Sequence, residues 1–272
     1  MSHRLEKDAS ERLESVSANQ RAYYDFAARP PIADGLSREE VDLFVSRRSF
    51  YNSVVATRST PERCDELVDE VIDLYASRGV GRFAWRVRSE DRPRDLADRL
   101  VDRGFDPVDV GPMMSLDLCD FDEPASGAGL EIRTVIGSAL ARSWAGVVVP
   151  GFGLDEAAVG PHGRWLEALG YGLPLRSFVG FHRSRAVAAV QTFLDDGVVG
   201  LYWIGVVPDA RRRGFGREIT RHAIDRAKRD GARRAVLHAN EPAIAVYEGL
   251  GFASCGSVTR YVWRKESVAR PS

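Results

Sequence analysis

Val206-Val207-Pro208-Asp209-Ala210-Arg211-Arg212-Arg213-Gly214-Phe215-Gly216 is the stretch on which the reading of this chain turns. It lies between an apolar segment, 198–206, that reads as a strand and a segment, 214–229, that reads as a helix with Ile219, Ala223 and Ala227 on one side. Gly214 and Gly216 allow a sharp turn and a close approach of backbone to ligand. The first helical turn then points unpaired N–H groups outward at the positive end of the helix dipole. Such a loop suits a phosphate or diphosphate, and three consecutive arginines sharpen it; a solvated turn on a basic surface is the competing reading. It is not a Walker loop, because no Gly-Lys-Ser/Thr follows, and Ile219 stands where a dinucleotide-binding G-x-G-x-x-G needs its last glycine.

Charge singles out the same place. Residues 1–125 hold 18 basic and 26 acidic side chains, net −8, whereas 126–272 hold 20 and 13, net +7. The stretch 211–234 alone carries 10 basic and 3 acidic residues, again net +7. A local basic field of this kind serves an anionic ligand. Aromatics other than Phe215 are missing from the stretch, which argues against nucleic acid. The rest of the composition is ordinary for a globular protein: 272 residues, 44% hydrophobic and 28% charged, enough for two domains. The apolar runs fall short of a membrane span, and the charged start Met1-Ser2-His3-Arg4-Leu5-Glu6-Lys7-Asp8 does not read as a signal peptide. Cys64, Cys119 and Cys255 are odd in number and far apart, so neither a disulfide framework nor a zinc site is expected. The expectation is a cytoplasmic, metal-free protein.

Outward from the loop, the chain reads as two α/β halves. Helices are expected over 4–28, 61–78 and 93–103, with strands at 42–45, 51–56, 82–88 and 105–118. Glu123-Pro-Ala-Ser-Gly-Ala-Gly129 has linker composition, which divides the chain into 1–123, a linker at 124–129, and 130–272. Beyond it come a strand at 130–135 and one or two helices within 138–169, interrupted near Pro150. A meander at 177–182, 186–194 and 198–206 turns at Asp195-Asp196-Gly197. After the loop helix, a strand at 233–239, a helix at 242–250 and a strand at 252–263 close the chain. The halves repeat one pattern. Val54-Val55 and Gly79 answer Val206-Val207 and Gly231 at a constant offset of 152 residues, and Gly104-Phe105 answers Gly251-Phe252.

Arg211-x-x-Gly214-x-Gly216 after Val206-Val207-Pro208 resembles the cofactor loop of the GNAT superfamily of N-acetyltransferases. Asn240-x-x-Ala243-x-x-Val246-Tyr247-x-x-Leu250-Gly251-Phe252 resembles that family's second motif at the expected distance. The paired layout is similar to tandem GNAT proteins in which only the C-terminal copy binds cofactor. The resemblance implies an α/β (α+β) fold of two GNAT-like domains, each a mixed, mostly antiparallel sheet flanked by helices. It further implies transfer of an acetyl group from acetyl-CoA, as cosubstrate, to a primary amine on a small molecule or peptide. The alternative is a non-catalytic acetyl-CoA-binding sensor.

Site residues follow from the same resemblance. Arg211, Arg212, Arg213, Gly214, Phe215, Gly216 and Arg217 would hold the diphosphate. The backbone of Val206 and Val207 would meet the pantetheine arm, and Asn240 would contact the cofactor unless it caps the helix. Tyr247 would protonate the departing thiolate, a phenol with a pKa of about 10 being protonated at neutral pH; a core tyrosine is the other reading. No carboxylate stands on Leu201–Gly205 to serve as general base, leaving His182, His238, Asp155 and Glu156 as candidates, with a water relay or an amine that arrives neutral as the alternatives. Trp144, Phe152, Trp165, Tyr202 and Trp203 are candidates to line an acceptor pocket, with the core as the expected place for most of them. The first half lacks these features. Ser59-Thr60-Pro61-Glu62-Arg63-Cys64 replaces the loop, segment 61–79 is net −4, and Leu100 stands opposite Tyr247, so packing and substrate enclosure are its expected roles.

Overall fold

The computed structural model describes residues 2–28, 34–37, 39–45, 52–119, 121 and 127–265. Pro30 and Pro31, expected to stop the first helix, and residues 124–126 of the linker lie outside them. In chain order the elements are α1 (Ser2–Ala27), β1 (Asp34–Ser37), β2 (Val41–Val45), β3 (Ser53–Thr57), α2 (Pro61–Ser77), β4 (Arg82–Arg88), α3 (Leu96–Val101) and β5 (Asp106–Asp117). There follow β6 (Glu131–Thr134), α4 (Ser138–Gly151), α5 (Val159–Leu169), β7 (Leu175–His182), β8 (Arg185–Asp195), β9 (Val198–Val206), α6 (Phe215–Arg229), β10 (Arg234–His238), α7 (Ile244–Gly249) and β11 (Ala253–Arg264). The expected elements are present, and β1 is an addition. Pro150 sits inside the last turn of α4, and the helix breaks two residues later.

Two compact units divide the chain: Met1–Tyr23 with Met113–Cys255, and Tyr24–Pro112 with Gly256–Ser272. In the larger unit the strand order is β6-β7-β8-β9-β10-β5, antiparallel except for the parallel β9–β10 pair. In the smaller unit it is β1-β2-β3-β4-β11, antiparallel except for β3–β4. The strands of each unit are thus mixed and mostly antiparallel, as expected. The units do not follow the linker. Met113–Asp117 of β5 pairs with β10, and Val258–Arg264 of β11 pairs with β4, so each half of the sequence supplies the other's last strand.

Helix periodicity accounts for the cores. On α2, Cys64, Leu67, Val68, Val71 and Tyr75 recur every three or four residues and are buried, with Pro61 in the first turn where a missing N–H costs nothing. They close over Val41, Leu43, Val54, Phe83 and Trp85. On α6, Phe215, Ile219, Ala223, Ile224 and Ala227 form the buried stripe. Each large apolar side chain sealed in this way contributes about 1.5–3 kcal/mol. α1 reads from sequence as a polar helix with a thin apolar stripe, and the structure shows why polarity suits it. Through Asn19 it donates to the carbonyl of Val198 at 2.8 Å, and through Asn19 Oδ1 it accepts from the Tyr202 hydroxyl at 2.8 Å. Gly200 leaves the room: a Cβ there would stand 2.0 Å from Asn19 Oδ1.

Candidate active site

β9 and β10 run parallel for only three pairs, Val198–Gly200 against Arg234–Val236. β9 then continues to Val206 and β10 to His238 without pairing to each other, so an edge of β9 opens beyond Gly200. Val207 donates to the Val187 carbonyl at 3.0 Å, and its own carbonyl accepts from Ala210 at 2.9 Å. Alternation along a strand therefore turns the peptide groups of Val206 the other way, toward the opening. Of the two valines expected to meet a pantetheine arm, Val207 has both backbone groups bonded within the protein, and Val206 has the ones turned toward the opening.

The glycine loop behaves as its sequence demands. Gly214 takes φ +81°, a left-handed conformation that side chains other than glycine adopt only with strain, and it caps α6 with no side-chain hydrogen bond. The first-turn amides of Phe215 and Gly216 consequently have no side-chain cap. Gly216 lies against the end of β9, a Cβ there standing 3.6 Å from Val206 Cγ2.

The arginines divide by task. Arg211 donates through Nε to the Val206 carbonyl at 3.3 Å and through Nη2 to the Gly151 carbonyl at 2.8 Å, fastening the loop to β9 and α4. Arg213 lies 4.9 Å from the Phe215 ring centroid and donates to His182 Nε2 at 3.1 Å. Arg217 donates to the Gly249 carbonyl at 2.9 Å and joins α6 to α7. Arg212 is exposed, with φ +58°. Farther along, Arg221 pairs with Asp225, Arg226 and Arg176 share Asp230, and Lys228 bonds the Phe121 carbonyl. Much of the basic excess is thus spent on helix and backbone partners. The part near the loop is Arg211, Arg212, Arg213 and Arg217.

α7 carries Tyr247, 6% exposed, its ring packed edge-on to Phe252 at 6.0 Å. Burial alone pushes its phenol well above the ordinary tyrosine value, so it stays protonated. No hydrogen bond from its hydroxyl occurs among the described residues. Asn240 opens the turn before α7 without capping it and is exposed. Four candidates for a base have other occupations or stand in solvent. Asp155 accepts from Ala157 N at 2.8 Å as a helix cap, and Glu156 is exposed. His182 receives Arg213 at one ring nitrogen, which leaves the other to donate toward the Gly129 carbonyl at 3.4 Å. His238 lies 3.4 Å from Gln20 Nε2. Trp144 is fully buried and Trp165 nearly so, both core; Trp203 and Phe152 keep exposed surface. Tyr23 and Gln191 escaped the sequence reading. The signal was there for Gln191, a lone amide in the apolar run of β8, but a helix 168 residues away gave none for Tyr23.

No group of three or more His, Cys, Asp or Glu among the described residues is placed to hold a metal, and no described helix is long and apolar enough to cross a membrane.

Residues 156–252 match the acetyltransferase (GNAT) family. A mycothiol acetyltransferase of Streptomyces avermitilis is 27% identical over 71% of this chain and 65% of its own length. The chain spans between about half and two-thirds of the curated mycothiol acetyltransferases it matches over the longest stretches, 48% for that of Frankia casuarinae. A ribosomal protein bS18-alanine N-acetyltransferase of Salmonella typhimurium is 41% identical over 26% of this chain and 48% of its own. Among solved structures, a GCN5-related N-acetyltransferase from Kribbella flavida superposes with a TM-score of 0.70 at 17% identity, covering 91% of this chain and 95% of that one. A tandem GNAT protein from the clavulanic acid biosynthesis pathway gives 0.57 at 15% identity, covering 89% and 86%. The fold is that of GNAT proteins, the tandem form included, and the family match falls on the segment that carries the glycine loop and Tyr247.

Proposed function

We propose that the protein transfers the acetyl group of acetyl-CoA to a primary amine, with the larger unit as the catalytic one. The observation that carries this reading is the open edge of β9 leading, through Val206, into an uncapped α6 N-terminus. A thioester arm bonded along that edge would place its diphosphate on the amides of Phe215 and Gly216, with Arg212 and Arg213 adding positive charge. The N–H of Val206 then faces the thioester carbonyl and stabilises the oxyanion that forms when the amine nitrogen attacks. As the new C–N bond forms, the C–S bond breaks, and one proton passes in net from the nitrogen to the sulfur. Tyr247 supplies the hydroxyl that hands a proton to the sulfur. Its raised pKa suits a relay that is refilled from the nitrogen once attack has made it an ammonium in the tetrahedral adduct, because a buried phenolate would be costly. Asn240, exposed beside α7, is free to contact the cosubstrate. The smaller unit is assigned a structural role.

Calorimetry and a thiol-release assay test this together. One equivalent of acetyl-CoA should bind per chain. Tyr247→Phe should lower kcat about 100-fold while leaving acetyl-CoA affinity within about twofold, the signature of an interaction made only in the transition state. Absence of binding to the intact protein rejects the reading. Binding without turnover in either protein points to a sensor instead.

A further inference from the structure

The C-terminal end of α4 sets an exposed aromatic ring beside the open edge of β9. Phe152 is 45% exposed, and its Cε2 lies 3.6 Å from where a Cβ on Gly205 would stand, one residue before the Val206 amide. Its ring meets Trp203 at 5.2 Å and 63°. Trp203 in turn packs edge-on to Trp144 at 6.4 Å and the His162 ring at 5.8 Å. Midway along β9, Trp203 takes φ +52°, close to where β9 slips register against β8 at Ala189 and Gln191. A slip of this kind re-aims a side chain, and a tryptophan stays left-handed only where its surroundings hold it.

A polar chain from α1 does the holding. Trp203 Nε1 donates to the Tyr23 hydroxyl at 3.0 Å, Tyr23 donates to Gln191 Oε1 at 2.8 Å, and Gln191 Nε2 donates to Ser177 Oγ at 3.2 Å. Tyr23 also stacks on Tyr202 at 3.8 Å and 9°. These partners are uncharged, and burial holds His162 neutral by pulling its pKa down to about 4. A wall of this chemistry offers an ammonium no counter-charge and favours the neutral amine that attack requires. It matches an apolar carrier better than a polycation.

We infer that Phe152 and Trp203 form the acceptor-side wall, that the acceptor is a primary amine carried on an aromatic or apolar group, and that Tyr23 is a positioning residue holding Trp203. The wall presupposes the acetyl transfer proposed above and specifies its substrate class. The test follows CoA release from acetyl-CoA with 2-phenylethylamine and tryptamine against spermidine and kanamycin. The arylalkylamines should show kcat/KM at least about tenfold above the polycations. Phe152→Ala should raise their KM about tenfold with acetyl-CoA affinity unchanged by calorimetry. Tyr23→Phe keeps the stacked ring and removes both hydrogen bonds; it should lower kcat/KM for the arylalkylamines and shift tryptophan fluorescence, effects that a purely stabilising contact would not produce at temperatures well below Tm. Preference for spermidine or kanamycin, no turnover of either arylalkylamine by protein that binds acetyl-CoA, or an unchanged KM in Phe152→Ala overturns the inference. Failure to bind acetyl-CoA at all removes the transfer reading itself, and the wall with it.

Discussion

β3 and β4 are the smaller unit's counterparts of β9 and β10, and the two parallel pairs treat the same gap in opposite ways. At the offset of 152 residues, α2 ends at Ser77 where α6 ends at Arg229, and β4 begins at Arg82 where β10 begins at Arg234. In the larger unit Val236 lies opposite Gly200. Its counterpart Ala84 lies opposite Ser53, which corresponds to Gly205. The flanking strand has therefore been drawn along its partner, and pairing occupies the place where the larger unit is open. Beyond it the smaller unit closes further. Arg92 donates to the Thr57 carbonyl at 3.1 Å, Ser59 donates to the Arg92 carbonyl at 3.2 Å, and Trp85 Nε1 donates to Thr57 Oγ1 at 3.0 Å. Asp91 accepts from Thr57 N at 3.3 Å and from Arg88 Nη2 at 2.7 Å. One topology can stay open or close on itself, according to whether backbone groups at the splay find protein partners.

That contrast can be broken from either side. The largest effect is expected at the closed gap. Asp91→Ala leaves Arg88 buried without its main partner and strips Thr57 N of an acceptor, so chemical denaturation should show a loss of about 3–5 kcal/mol. Acetyl-CoA affinity should not change. Next comes acid. His162 is fully buried, and its pKa is pulled down to about 4 by burial, while residues 24–112 contain no histidine. The unfolded chain takes up this proton near pH 6.5 and the native one only near 4, so stability is full above that window and falls as pH drops through it, by up to about 3 kcal/mol. Hydrogen exchange should show the larger unit loosening first between pH 6.5 and 4, and His162→Phe should flatten that slope. Smallest is the loop. Gly214→Ala forces a side chain into a left-handed position and should weaken acetyl-CoA binding by roughly five- to tenfold, about 1–1.4 kcal/mol. Gly216→Ala, whose Cβ would meet Val206 Cγ2 at an ordinary 3.6 Å, should cost less. Equal losses from the two would show that the turn's conformation is not what the ligand reads.

Elements and loop were legible because their signals are local. Apolar spacing on α2 and α6 states which face is buried, and Gly214 states a backbone angle. The fates of Arg211 and Val207 were not legible. A guanidinium carries five donors that bond whatever carbonyl folding brings near, here Gly151, 60 residues away. Whether a valine amide faces the opening or the sheet depends on the phase of pairing with β8, which the valine does not encode. Asn240 read as cofactor contact with helix cap as the competing reading, and the structure shows no side-chain cap there.

By itself the sequence determined the two-copy pattern, the helices and strands, and a glycine turn set among arginines at a helix start, since each rests on periodicity, charge or backbone freedom within a few residues. Tertiary structure alone decided that each half takes its last strand from the other, that α1 reaches Gln191 and Trp203, and that one parallel pair stays open while the other closes. Those outcomes depend on register and on partners more than 100 residues apart, and alternation along a strand fixes which face is buried without fixing which edge it meets.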